Sequence, residues 1–497
     1  MTTPFHRTLG RDRVLGRAIG RTLRALFVCI AAGLCLLTVG CEPENPSREW
    51  LVMLYMGAGD ADIDERLFWD LAEAEQIGSS EKVTIVAQFD PFDGSNATES
   101  TSAKRYLVTQ DDCLYTVGSE VLEDLGEVDM TDPDVLQSFV GWAIETYPAK
   151  RRMLVLGGHG AGWRGVLNDD SSGTESMMSL PELQTSLASA LRQCSVNRLD
   201  LLGFSACLMG QIEVLTALEP HACYVVASEC IECAFGWGYA GFLDELIRDP
   251  SMSTCALAGC IVENHISGDA FVANETARVI ADLQLYCGPL SMQQIQSISR
   301  MTHLELINTC ERFDVPYEWI PTATQKAQQA DAHTNRATIA AYDLSALRDV
   351  YSGIRRLSSL LADLDEAELR AIWDACRGED RSCWTCFDYV DLPCLASLMQ
   401  PKCRALDQLV RALDRLILRA KRGSAVERLS GLSIYFPCFG GADTSCFPPG
   451  RDLLGLGAYP KYARSFVERT EWDRFLNAIQ TSCQRSESAA TSSKHAE

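Results

Sequence analysis

Met153-Leu154-Val155-Leu156-Gly157-Gly158-His159-Gly160 and Leu199-Asp200-Leu201-Leu202-Gly203-Phe204-Ser205-Ala206-Cys207 are two short apolar runs, one ending in a glycine-flanked histidine, the other in a cysteine. Short apolar runs separated by a helical segment read as neighbouring parallel strands joined by a crossover. In open α/β sheets reactive groups gather beyond the carboxyl ends of the strands, so both side chains are expected on one edge of one sheet. The segment between them fits a crossover helix. Ser179-Leu180-Pro181-Glu182 is a capping-box start, and Leu183, Leu187, Ala190 and Leu191 follow at helical spacing.

A thiol attacks as thiolate, and a nearby imidazole supplies the proton that a leaving amine needs. Taken alone, a cysteine in an apolar run is a small buried hydrophobe. The histidine at the matching strand end turns Cys207 into a candidate nucleophile, with His159 as its acid and base. Leu208 to Leu215 predicts a helix directly after Cys207, whose amino end would favour a thiolate. Gly160 lets substrate approach the backbone, so the N–H groups of Gly160 and Cys207 are the candidate oxyanion hole.

Elsewhere Leu51 to Met56, Val83 to Phe89, Cys223 to Ser228 and Thr338 to Leu344 read as strands, and Lys104 to Gln110 as an edge or hairpin strand. Asp132 to Tyr147 predicts an amphipathic helix with Val135, Leu136, Phe139, Trp142 and Ala143 on one face. Residues 245 to 335 read as helical. Ser345 to Cys376 and Leu406 to Ala420 also predict helices, and Gly431 to Phe436 a strand returning to the core. Strands alternating with helices imply a mostly parallel sheet with helices on both faces.

Several segments resemble the clostripain family of cysteine endopeptidases, in the caspase-like clan, and occur in family order. They are Trp50-Leu51-Val52-Met53-Leu54-Tyr55-Met56, Lys104-Arg105-Tyr106-Leu107-Val108, Leu125-Gly126-Glu127-Val128-Asp129-Met130, His159-Gly160-Ala161-Gly162-Trp163, Gly203 to Gly210, Ala227-Ser228-Glu229 and Gly431 to Pro437. The resemblance implies a caspase-like α/β/α sandwich with a mostly parallel central sheet and a helical, cysteine-rich carboxyl-terminal extension. It also implies catalytic His159 and Cys207, peptide or protein substrates and no organic cofactor. Some members use calcium. Asp60-Ala61-Asp62-Ile63-Asp64-Glu65 and Asn168-Asp169-Asp170 offer oxygen ligands for it, though neither has an EF-hand pattern. In some members self-cleavage falls between the histidine and the cysteine, where this chain has Arg164 and the 168–178 stretch.

One departure concerns the pocket for the residue before the scissile bond. Members that cut after Arg or Lys have Asp two residues before the nucleophile, where this chain has Ser205, and a second acidic position falls on Phe235 before Gly236-Trp237. A buried guanidinium without a charged partner is strongly disfavoured. The expectation is therefore acceptance of small polar or apolar residues at least as well as Arg, with Ser205→Asp restoring basic preference. Ser228, Glu229 and Glu232 lie on the same predicted loop, and the two glutamates are the alternative acids.

Arg7, Arg11, Arg13, Arg17, Arg21 and Arg24 precede an apolar stretch, Ala25 to Val39, of signal-peptide length. Leu37-Thr38-Val39-Gly40-Cys41 resembles a bacterial lipoprotein signal in which Cys41 is lipidated, anchoring an exported protein in the cell envelope. The 497 residues thus divide into a signal peptide (1–41), a linker (42–49), a catalytic domain (50–290), a helical and carboxyl-terminal region returning to the sheet (291–483) and a polar tail (484–497). A formal charge of −23 argues against nucleic acid as a partner. The 21 cysteines suit disulfides outside the cytoplasm. Cys376, Cys383, Cys386, Cys394 and Cys403 are expected to staple a local loop. The pairs Cys230/Cys233 and Cys383/Cys386 offer a four-thiolate zinc site as the competing use. The sequence therefore points to an exported cysteine endopeptidase, the alternative being a catalytically weak surface lipoprotein that binds peptides or protein partners.

Overall fold

The computed structural model describes residues 48–59, 61–92, 102–111, 117–169, 176–232, 236–265, 336–376, 389–437 and 458–478. Trp50 to Met56 is apolar at every position, as a strand covered on both faces must be, and it forms the middle of β1 (Arg48–Gly57). There follow α1 (Ala61–Ile77), β2 (Val83–Asp90), β3 (Ala103–Leu107) and β4 (Glu120–Gly126). Next come α2 (Pro133–Thr146), β5 (Ala149–Gly157), the short hairpin β6 (Val166–Asp169) and β7 (Ser176–Met178), α3 (Leu180–Gln193) and β8 (Leu199–Ser205). The first part closes with α4 (Ile212–Leu218), β9 (Ala222–Ala227), α5 (Tyr239–Arg248) and α6 (Thr254–Asn264). Asp132 caps α2 by accepting the Asp134 N–H, and Glu182 accepts the Ser179 N–H at the start of α3, as the capping signals require.

Beyond residue 335 lie β10 (Thr338–Asp343), α7 (Leu347–Ala362), α8 (Glu366–Cys376), β11 (Tyr389–Asp391) and α9 (Leu392–Met399). The chain continues with α10 (Asp407–Leu416), β12 (Ile417–Arg422), β13 (Ser433–Tyr435), α11 (Tyr459–Tyr462) and α12 (Arg464–Thr470). Among the described residues the main sheet has nine strands in the order β12-β10-β9-β8-β5-β1-β2-β3-β4. Its five central strands, β9 to β2, are parallel. Two antiparallel strands flank them on each side.

The two faces of β1 show how the layers form. Trp50, Val52, Leu54 and Met56 pack with Leu71 of α1, Phe242 of α5 and Ile261 of α6. Leu51, Met53 and Tyr55 face the opposite way, into a core with Phe139 of α2 and Leu187 of α3 that continues into Ile354 of α7 and Leu409 of α10. Residues from Arg48 on form one unit. The expected boundary at residue 290 lies outside the described residues, as do the signal segment, Cys41 and the 484–497 tail. No helix among the described residues is long and apolar enough to cross a membrane.

Three expectations change. Ser345 to Cys376 is two helices, because Asp365 accepts the Glu368 N–H and starts α8 afresh. The expected helix from Leu406 to Ala420 ends at Leu416, and β12 runs on from it as an edge strand. Arg419 and Lys421 of that edge reach Glu263 of α6, at its carboxylate and its carbonyl respectively, and such charges protect an open edge. The 431–436 strand supplies β13, which pairs with β11 in a separate two-stranded sheet. It is β10 and β12 that carry the carboxyl-terminal region into the main sheet.

Candidate active site

β5 and β8 are parallel neighbours with Gly157 opposite Ser205. Just past that pair the Gly158 N–H donates to the Ser205 carbonyl at 3.2 Å, so His159 and Cys207 leave the sheet side by side. Gly160 lies directly on the Cys207 backbone. A Cβ at Gly160 would come within 2.1 Å of the Cys207 carbonyl oxygen and 3.1 Å of its nitrogen, so only glycine fits. The His159 carbonyl accepts the Leu167 N–H at 2.8 Å, fixing the loop to the start of β6. Gln211 ties the two strand ends together, its Oε1 accepting the Trp163 N–H at 2.7 Å. The buried Trp163 ring packs edge-on against Tyr435 and Tyr459, and the Arg164 guanidinium covers it.

The helix expected directly after Cys207 starts later. Leu208 has φ +67°, a left-handed conformation that a helix cannot continue, and α4 begins only at Ile212. The amino end of that seven-residue helix is therefore not what faces the sulfur. Instead the Glu232 N–H donates to Cys207 Sγ at 3.2 Å, a partner suited to a thiolate. The loop carrying Glu232 is braced from two sides. Leu208 and Gly210 donate to the carbonyls of Cys230 and Ser228 at 2.7 and 2.6 Å. Thr338 of β10 accepts the Cys230 N–H at 2.9 Å and lies 3.0 Å from the Ser228 hydroxyl.

The expected pocket residues separate. Ser228 is spent on this brace. Glu229 is buried and turned toward the carboxyl-terminal region, where it accepts the Gly431 N–H at 2.7 Å and meets Asp391. Burial, then the neighbouring Asp391 carboxylate, push Glu229 well above the usual carboxylate range. Asp391, pushed to about 6 chiefly by burial, accepts from Ser430 and Cys394. Phe235 lies outside the described residues. Ser205 and Glu232 remain near the thiol, with Glu232 Oε1 2.6 Å from the buried His265 Nε2.

Beside Ser205 stands an acid that the sequence reading missed. Asp70 of α1 is buried, with Oδ2 3.5 Å from Ser205 Oγ. Tyr239 is hydrogen-bonded to the same serine. Burial, then Glu73 and Glu232, push the Asp70 carboxyl well above its ordinary value. A signal for it existed: Asp70 and Glu73 fall in the apolar stripe of α1 with Leu67, Leu71 and Ala74, where an acid is rare. The pocket read from positions 205 and 235, with Glu229 and Glu232 as alternative acids, does not include Asp70.

Among the described residues no group of three or more His, Cys, Asp or Glu is placed to hold a metal. Of the acidic clusters, Asp64 is buried and accepts the Phe92 N–H. Asp60, Asp170 and the side chains of Asp62, Glu65 and Asp169 lie outside the described residues, as do Cys233, Cys383 and Cys386. Cys376 and Cys394 are hydrogen-bonded to each other.

Fold and site together define a cysteine-peptidase type of α/β scaffold, with a cysteine and a histidine at the carboxyl ends of adjacent parallel strands. The model of the clostripain family matches residues 55–477, and the chain belongs to that family. Clostripain of Hathewaya histolytica is 29% identical over 236 residues, which is 41% of this chain and 43% of that protein. The chain thus matches less than half the length of that relative. A secreted C11 cysteine protease of Bacteroides thetaiotaomicron, solved with an irreversible peptide inhibitor, shares the fold at TM-score 0.55 and 16% identity, over 86% of this chain and 99% of that one. An inactive zymogen C11 protease of Parabacteroides distasonis does so at TM-score 0.53 and 16% identity, over 87% and 99%.

Proposed function

We propose that the protein is an exported, lipid-anchored cysteine endopeptidase acting through Cys207 and His159. The observation that carries the reading is the pairing of the two strand ends, with Gly160 against the Cys207 backbone and an N–H at the sulfur. In the proposed reaction His159 takes the thiol proton, and Cys207 Sγ bonds to the scissile carbonyl carbon. The N–H groups of Gly160 and Cys207 hold the oxyanion. His159 then gives its proton to the departing amine as the C–N bond breaks, leaving a thioester. A water, its proton taken by His159, cleaves the thioester and returns the thiolate. No step uses an organic cofactor, and calcium bound at an acidic loop would act on structure rather than on bonds. The side chain before the scissile bond enters the pocket beside Ser205. Export and anchoring rest on the arginine-rich start, the apolar stretch and Gly40-Cys41.

The test is turnover of a peptide mixture. Cys207→Ala and His159→Ala should each lower kcat/KM by about a thousandfold or more, and the double variant should lose little beyond either, because the pair acts as a unit. Full alkylation-sensitive activity in Cys207→Ala would refute the assignment. Peptide binding without turnover in the parent would instead favour a binding lipoprotein.

A further inference from the structure

We infer that His265, at the end of α6, is a positioning residue for the nucleophile: paired with Glu232, it offsets a carboxylate that would otherwise oppose the Cys207 thiolate. The role rests on the peptidase reading above. The donor at Cys207 Sγ is the Glu232 N–H, 3.2 Å away. Using that amide brings a difficulty with it. The residue that supplies the N–H carries its own carboxyl only a few bonds further on, and it is buried, 6% exposed. A second anion close to a thiolate disfavours the thiolate, as like charges sharing one site do.

Glu232 Oε1 lies 2.6 Å from Nε2 of the buried His265. Whichever of the two holds the proton, the contacting pair carries no net charge, so the sulfur keeps its N–H donor without the charge on the same residue. His265 stands outside the nucleophile loop. It follows the last residue of α6, its N–H donating to the Ile261 carbonyl at 3.1 Å, and α6 packs against β8, β9, β10 and β12. Glu263, two residues earlier, engages Arg419 and Lys421 of β12. The imidazole is thus fixed by the sheet, and the contact with it orients Glu232 as well as balancing its charge.

The other ionisable groups nearby do something else. Asp70 and Glu73 of α1 and Tyr239 of α5 gather around Glu232, and all three are acids. Burial, more than these neighbours, pushes Asp70 well above the usual carboxylate range. Glu73 accepts the Ala240 N–H at 3.4 Å. Arg66 of α1 acts on Asp70. Glu245 of α5 accepts from Asn264, the residue before His265, at 3.3 Å. His159, on the other strand end, exchanges its proton with the sulfur itself in the proposed reaction. Balancing Glu232 falls to His265.

The test reads the Cys207 thiol directly in the full chain with thiols reduced. The rate of iodoacetamide alkylation against pH, followed by mass spectrometry of the peptide that carries Cys207, gives the thiol pKa. His265→Gln keeps an N–H donor near the place of Nε2 but cannot take up a proton. It should raise the thiol pKa by about one, an approximately tenfold loss of thiolate at lower pH. Glu232→Gln keeps the backbone N–H and should not raise it. The double variant should hold its thiolate population within about threefold of the parent. An unchanged thiol pKa in His265→Gln overturns the inference, and so does an equal rise in the double variant, which a purely structural role would give. If His265→Gln does not fold, the comparison of Glu232→Gln with the parent decides: a higher thiol pKa overturns the inference, and an equal or lower one upholds it. Failure of the peptidase reading looks different, because no peptide is cleaved while alkylation at Cys207 still decides.

Discussion

Replacing Glu213 with glutamine should make the protein more stable above neutral pH relative to the parent, and much less so in acid. Glu213 is in the first turn of α4 and is 1% exposed. Its Oε1 accepts both the Tyr435 N–H at 2.9 Å and the Tyr459 hydroxyl at 2.8 Å, while Oε2 meets no donor. Burial pushes the carboxyl from 4.5 to about 7. The folded value lies above the unfolded one, so the folded state binds the proton more tightly. The resulting stability is fully present below pH 4.5 and is lost as pH rises through about 7. That shift corresponds to about 3 kcal/mol. Glutamine keeps an acceptor for both donors and cannot ionise. The stability difference between variant and parent should therefore swing by about 3 kcal/mol toward the variant between pH 4 and pH 8. Urea denaturation followed by tryptophan fluorescence, with thiols reduced and Cys207→Ala in both proteins, measures it. A difference that stays flat across this range, or swings the other way, would refute the reasoning.

Gly160→Ala, which sets a methyl 2.1 Å from the Cys207 carbonyl oxygen, should lower kcat/KM by about a hundredfold. The folded population should barely change, as circular dichroism would show. Cys376 and Cys394 should form a disulfide once the protein meets an oxidising compartment, so peptide mapping without reductant should recover the two joined, and recovery of both as free thiols would count against it. Cys41→Ser should move the protein from the membrane fraction to the soluble one, with the parent carrying lipid mass at its amino end; identical fractionation would argue against the anchor.

The sheet centre was legible because each strand is short, apolar throughout and bounded by turn residues, and because chemistry sits where such strands end. Trp50 to Met56 and Leu199 to Phe204 needed no other information. β12 was not legible. Ile417-Leu418-Arg419-Ala420-Lys421-Arg422 continues the helical pattern of α10, and only its place beside β10 makes it a strand. The donor at Cys207 Sγ was invisible for a different reason, since it is the backbone N–H of Glu232, and every residue but proline has one. Glu229 and Asp70 show the same limit from opposite sides. Nearness in sequence suggested Glu229, which turns to Gly431, while Asp70 reaches Ser205 from a helix more than a hundred residues upstream.

The brace on the nucleophile loop also sets an order of events. Thr338 takes the Cys230 N–H, and Gly431 and Asp391 take Glu229, so the loop that presents its N–H to sulfur is anchored on late-arriving chain. Polypeptides are made amino end first. A nascent chain that ends before residue 338 already contains His159, Cys207 and the bonds from Leu208 and Gly210 to this loop, yet it lacks the half of the brace that Thr338 and Gly431 supply. The support behind the nucleophile loop is thus completed last, long after the reactive residues have been synthesised.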